Sequence, residues 1–216
     1  MKRIASILVV ALMLGLMVAP MASTATITAR TPVIFVSAGQ SGGVYVTNAV
    51  ADQIKLKYDW ADAPTGAHLN SGVGLSAYNA RTDLPVQYEK NSGVNNGTKY
   101  NTLVMVMGCT LKGMGASGLN IDTEVARCRN NIAWAKANNV RIIGMHVEGA
   151  SLRGKTGSDN ERIIDAVAPQ CDQLIVIAAS NQDKKFTDIA TRNNIPFEEV
   201  TTARNLGPVL QKIFGL

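Results

Sequence analysis

The chain has 216 residues, with 21 Lys and Arg against 16 Asp and Glu and only two histidines. Without Lys2 and Arg3 the balance is 19 to 16, and no basic run or aromatic-interleaved patch is present, which excludes nucleic acid as a partner. The length suffices for one domain with a substantial core and not for two ordinary ones.

Residues 1–25 read as a signal peptide. Met1-Lys2-Arg3 is a short basic region, residues 4–18 are an apolar run too short for a comfortable membrane span, and Ser23-Thr24-Ala25 offers small residues at a cleavage point. Cleavage is expected after Ala25, with Ala22 as the second choice. The product is a soluble extracytoplasmic protein, periplasmic or secreted, with no membrane anchor left.

Residues 32–38 (PVIFVSA) form the first predicted buried strand, followed by Gly39-Gln40-Ser41-Gly42-Gly43 and a helical pattern carrying Val46, Val50 and Ile54. Ser41 is the expected N-cap of that helix. A short strand is expected over 57–61. Residues 62–99 are rich in Gly, Asn, Ser and Thr and read as an irregular insertion, with a small hairpin near 85–88.

Next come two continuous apolar runs, 103–107 and 140–147, separated by a helical pattern over 121–138. Continuous rather than alternating runs mark strands buried on both faces, and a helix between two such strands makes a parallel βαβ unit. Ser158 and Glu161 have capping-box spacing ahead of a helix that stops before Pro169. A strand over 174–179, a helix over 183–194, a strand over 197–201 and a helix over 206–214 complete the chain. The expected fold is α/β: a three-layer α/β/α sandwich around a mainly parallel sheet of five or six strands, flavodoxin-like or Rossmann-like, with order 2-1-3-4-5.

Ligands of such sheets collect at the carboxyl ends of the strands, where four loops should meet: 39–43, 109–120, 148–157 and 180–183. The second carries Lys112 among Gly113, Gly115 and Gly118, so its backbone N–H groups and the lysine suit an anion. The third contains the Walker A string from Gly149 to Thr156, but its helix start falls late, at Ser158, and no strand ends in a magnesium-binding aspartate. Arg153 and Lys155 are read there as simple anion contacts. Cys109 and His146 each end a buried strand, and Glu148 is placed to orient the imidazole, a nucleophile–base–orienter set. Cys109, Cys128 and Cys171 match no zinc spacing, so no metal is expected, and no cofactor is implied.

Three motifs, Ser37-Ala-Gly-Gln-Ser41, the run from Lys112 to Gly118 (KGMGASG) and Ile143-Gly-Met-His146, resemble a family of exported bacterial proteins known only as a domain of unknown function. The resemblance covers residues 32–58 and 100–201. It implies an α/β fold and export and supplies no activity; the chain departs from it by its 62–99 insertion and a longer 149–157 loop.

The leading functional expectation is therefore a binding protein for a small anionic ligand, held by Gln40, Ser41, Lys112 and the glycine backbone, with Arg153 and Lys155 near. A second expectation is a hydrolase or transferase using Cys109 and His146. A third is an assembly module that binds a protein partner through the 62–99 insertion.

Overall fold

The computed structural model describes residues 26–72, 88–90 and 97–216. Its strands are β1 (Val33–Ala38), β2 (Asp59–Ala61), β3 (Tyr88–Lys90), β4 (Thr102–Met107), β5 (Arg141–His146), β6 (Gln173–Ile177) and β7 (Phe197–Val200). Its helices are α1 (Gly43–Gln53), α2 (Gly66–Ser71), α3 (Leu111–Ala116), α4 (Ile121–Ala137), α5 (Asp159–Val167), α6 (Lys185–Asn193) and α7 (Leu206–Phe214).

The sheet runs β3-β2-β1-β4-β5-β6-β7. All pairings are parallel except that of β2 with the edge strand β3. Counting the parallel strands alone, the order is 2-1-3-4-5-6, the flavodoxin-like arrangement extended by one strand. The cause lies in the central runs, where successive side chains enter opposite cores. Leu103, Met105 and Met107 pack beneath α4, α5 and α6; Val104 and Val106 pack beneath α1 and α7. Helices therefore cover both faces, giving three layers.

Local signals set several boundaries. The Asn120 side chain accepts from the Asp122 and Thr123 N–H groups, both at 3.0 Å, and starts α4. Asn139 and Asn194, which follow α4 and α6, take φ of 55° and 52°, the left-handed conformation that asparagine tolerates. On α4, Val125, Cys128, Ile132 and Ala135 form the buried stripe read from the sequence.

Other expectations are corrected. The start of the 62–99 stretch is not irregular: it contains α2, whose Leu69 is fully buried. Burial of one such side chain contributes roughly 1.5–3 kcal/mol and anchors the short helix. The proposed hairpin near 85–88 lies mostly outside the described residues. Ser41 does not cap α1, because Gly42 occupies the N-cap position and no side chain caps there. Residues 111–116 are helix rather than loop, started by Thr110, whose hydroxyl accepts from the Gly113 N–H at 3.2 Å. Ser158 does accept from the Glu161 N–H at 3.5 Å, yet the Glu161 carboxylate turns away to Arg153 and Lys185 instead of completing the box.

Candidate functional site

After β1 the chain crosses to β2 on one side; after β4 it crosses to β5 on the other. The carboxyl ends of this adjacent pair are the topological switch point, where a crevice is expected. Here the chain fills that crevice with itself. The Gly108 N–H donates to Ala38 O at 3.0 Å, the Thr110 N–H to Gly39 O at 3.0 Å, and the Thr110 hydroxyl to Gln40 O at 2.7 Å. Gly39, at φ 105°, permits the approach: a Cβ there would lie 2.1 Å from Gly108 O.

Gln40 plugs the gap between the laced loops. Its amide donates to Asp62 O at 2.9 Å and to Glu124 Oε1 at 3.4 Å, and its Oε1 accepts from the Ser117 hydroxyl at 3.1 Å. Its polar atoms are committed to the protein, so it positions loops and is not a ligand contact. The buried Glu124 also accepts from the Gly39 N–H at 2.7 Å and takes Arg127 through Nε at 2.8 Å and Nη2 at 2.6 Å. Arg127 Nη2 donates in addition to Ser37 O at 2.6 Å. Sequence reasoning missed this clamp, although 124, 127, 128 and 131 share one helical face, a spacing that marks them as facing inward.

Above the plug lies the open part of the site. Ser41 is 4% exposed, and its hydroxyl has no hydrogen-bond partner among the described residues. The half-buried Glu148 keeps Oε2 enclosed, also without a partner among the described residues. Both crowd Gly108: a Cβ there would meet Ser41 Oγ at 2.4 Å and Glu148 Oε2 at 2.7 Å, and a Cβ on Gly43 would meet Glu148 Oε2 at 3.0 Å. The carboxylate thus lies over the uncapped first turn of α1, where exposed N–H groups favour negative charge. Two of the large apolar side chains left in solvent are Tyr45, 53% exposed in that turn and set edge-on against Trp60, and Leu111, 75% exposed at the start of α3.

The Gly113–Gly118 backbone does not form an anion cradle. Its N–H groups are taken within α3 and the turn after it, as with Ser117 N–H to Gly113 O at 3.1 Å and Gly118 N–H to Gly115 O at 3.2 Å. Gly113 serves packing, because a Cβ there would lie 2.0 Å from Gln40 O. Gly115 faces open space, and Gly118, at φ 69°, turns the chain out of the helix. Lys112 is exposed on α3, and Lys155 is exposed in the turn before α5.

The nucleophile–base–orienter set is not assembled. Cys109 lies against Met114, Sγ to Sδ 3.8 Å, while its N–H donates to Asn160 Oδ1 at 2.6 Å. Burial, then the nearby Asp159 and Glu124 carboxylates, push its thiol up to about 11, so it stays protonated. His146 is fully buried, with Nε2 3.2 Å from Leu152 O and Nδ1 2.7 Å from Ser180 Oγ. A carbonyl can only accept, so Nε2 carries the proton and Nδ1 accepts from the Ser180 hydroxyl. Burial pushes this imidazole down to about 4. No hydrogen bond joins His146 to Cys109 or to Glu148. Arg153 is likewise committed: Nε to Glu161 at 2.7 Å, Nη2 to Asp183 at 2.7 Å and Nη1 to Ser180 O at 2.5 Å, with its guanidinium 5.4 Å above the Phe186 ring. It ties the 149–157 loop to α5 and to the loop after β6.

Cys109, Cys128 and Cys171 are buried free thiols. Among the described residues no group of three or more His, Cys, Asp or Glu is arranged to hold a metal ion, and no helix is long and apolar enough to cross a membrane.

No curated protein matches the chain. One family model, described as a domain of unknown function (DUF6305), matches residues 30–214, nearly the whole length over which the two cores are built. The chain therefore belongs to the DUF6305 family.

Proposed function

We propose that this protein is an extracytoplasmic binding protein for a small polar ligand at the switch point, against Ser41, Glu148 and the first turn of α1. The observation that carries the reading is the pair of enclosed oxygens, Ser41 Oγ and Glu148 Oε2, on facing loops with no partner among the described residues. An enclosed polar atom without a partner costs about 1–3 kcal/mol, and more when charged, so a partner supplied from outside is favoured there. Gly42 is exposed beside them and Glu148 only half buried, so rotation of the Ser41 and Glu148 side chains would open the place to a visitor.

The ligand offers hydroxyl or ammonium donors rather than an anionic group. Glu148 already occupies the positive end of α1 and repels a second anion, and the glycine backbone of α3 has no free N–H groups to replace it. Export is part of the same proposal, supported by the basic start, apolar run and small residues of 1–25. An enzymatic role for Cys109 and His146 gains no support from a buried thiol and an imidazole with both nitrogens engaged.

Thermal unfolding of the purified protein with polyols, amino sugars, polyamines, phosphates and carboxylates tests the reading. A donor ligand at a hundredfold its Kd stabilises by about 2.7 kcal/mol. That is a rise in Tm of roughly 5–10 °C for a chain of this size. Glu148→Gln and Ser41→Ala are expected to remove the rise. A ligand that protects both variants as well as the parent sinks the proposal.

A further inference from the structure

The opposite end of the sheet carries a second site that the switch point does not explain. At the amino ends of the central strands a groove of about 650 Å³ opens between residues 27–30 and the end of α4. Its volume falls in the range of small-molecule sites, about 300–1,000 Å³. Arg30, Asn101, Lys136, Asn139, Arg141 and Asp172 line it. Three cations thus face one carboxylate, and that carboxylate is engaged: Asp172 Oδ2 accepts from the Ile142 N–H at 2.8 Å, and Oδ1 lies 3.8 Å from Arg141.

Both arginines stand on fixed backbone. The Thr102 hydroxyl at the start of β4 accepts from the Arg30 N–H at 3.1 Å and donates to Arg30 O at 2.7 Å. The Arg141 N–H donates to Asn101 O at 3.1 Å, and Arg141 pairs in register with Thr102. Arg30 and Arg141 therefore bracket the start of one strand from its two sides. Among the described residues the Arg30 guanidinium has no hydrogen-bond or ion-pair partner. The wall opposite is strapped down as well, with the Ile27 N–H on Gln173 Oε1 at 3.3 Å and the Ala29 N–H on Ile213 O at 2.9 Å.

The carboxyl end of a helix would ordinarily oppose an anion here. At α4 three of the last four carbonyls are already covered: Trp134 O by the Asn138 N–H at 3.1 Å, Ala135 O by the Val140 N–H at 2.9 Å, and Lys136 O by the Asn139 N–H at 3.4 Å. Besides the engaged Asp172, what faces the groove is two guanidinium groups and the Lys136 ammonium, which donates to Gln170 Oε1, and guanidinium forks match planar or tetrahedral oxyanions. We infer that this amino-end groove binds a small organic anion, its phosphoryl or carboxylate oxygens held between Arg30 and Arg141. The inference is independent of the switch-point reading and places the anion at the other end of the molecule.

Calorimetric titration of the purified protein at low salt decides it, with glycerol 3-phosphate, succinate and uncharged glycerol as probes. Saturable one-to-one binding of at least one anion that depends on the two arginines is expected, whereas any binding of glycerol belongs to the switch-point site and is unchanged by their substitution; which anion binds distinguishes a phosphoryl from a carboxylate ligand. Arg30→Gln combined with Arg141→Gln should weaken that binding at least tenfold, while Lys155→Gln, a cation at the far end, should change it less than twofold. The double variant should unfold at the parent's temperature, since the backbones of these residues, not their side chains, hold the groove. Absence of saturable binding by either anion overturns the inference, and so does equal weakening in the double variant and the Lys155 control.

Discussion

His146 shows how a residue that suggests catalysis can be used for its neutrality. Its ring joins the end of β5 to Leu152 and Ser180, and that bonding pattern requires a single proton on Nε2. In the unfolded chain the imidazole titrates near 6.5, whereas in the fold burial holds it at about 4. Between these values the unfolded state binds the extra proton, so stability is complete above 6.5 and is lost as pH falls toward 4. The loss amounts to at most about 3 kcal/mol. Urea unfolding of the parent and of His146→Gln across this window should show a steeper decline in the parent; parallel profiles would contradict the assignment. Cys109 supplies a second test at this scale. A thiol raised to about 11 and packed on Met114 should react with iodoacetamide far more slowly than a free cysteine, and only modestly faster than Cys128 or Cys171, whose thiols burial raises further. Rapid, selective alkylation of Cys109 would revive the enzymatic reading.

Among elements, α3 is the most instructive. Its glycines look alike in sequence and do unlike things: Gly113 lets the helix touch Gln40 O, Gly115 faces solvent, and Gly118 ends the turn with positive φ. Gly113→Ala is therefore expected to cost about 1–3 kcal/mol through overpacking against backbone. Gly115→Ala, inside a helix with free space around it, should be neutral or stabilise by up to about 1 kcal/mol. Denaturant midpoints of the two variants check the contrast, and equal effects would mean that α3 does not pack on the β1 loop as described. This helix was misread from the sequence because glycine density suggests a loop, while the cue that settles it, Thr110 three residues before Gly113, is a single hydroxyl. The Glu124–Arg127 clamp was missed for a related reason: a charged pair three residues apart usually marks a solvated face, and only the tertiary contact with Ser37 and Gly39 turns it inward. Arg127→Met should cost about 3–5 kcal/mol by leaving Glu124 charged and buried without its partner.

At the level of the whole molecule, the sheet and its two helical layers were legible because apolar runs buried on both faces differ from every other pattern in the chain. The carboxyl-end location of a switch point followed from that order. What occupies the crevice did not, since Gln40, Ser117 and Asp62 come from three separate stretches and meet only in the fold. The groove at the amino ends was equally hidden, being made by a segment before the first strand and by residues at the starts of β4, β5 and β6. The order of the strands also ranks local stability. Amides of β1, β4 and β5 should exchange with deuterium only through global unfolding, and those of β7 and β3 at the sheet edges earlier. Uniform protection across the sheet would show that it opens as one unit.

The lacing of Gly39 and Gln40 onto Gly108 and Thr110 also bears on time. A crevice closed by the protein itself admits no molecule between its walls, so a ligand of the proposed site would rest on top and remain partly in water. With about ten atoms in contact at roughly 0.3–0.5 kcal/mol each, such a complex has a dissociation constant on the order of millimolar. Occupancy of the proposed site would follow the surrounding concentration almost instantly, and magnetic resonance titrations should record fast exchange.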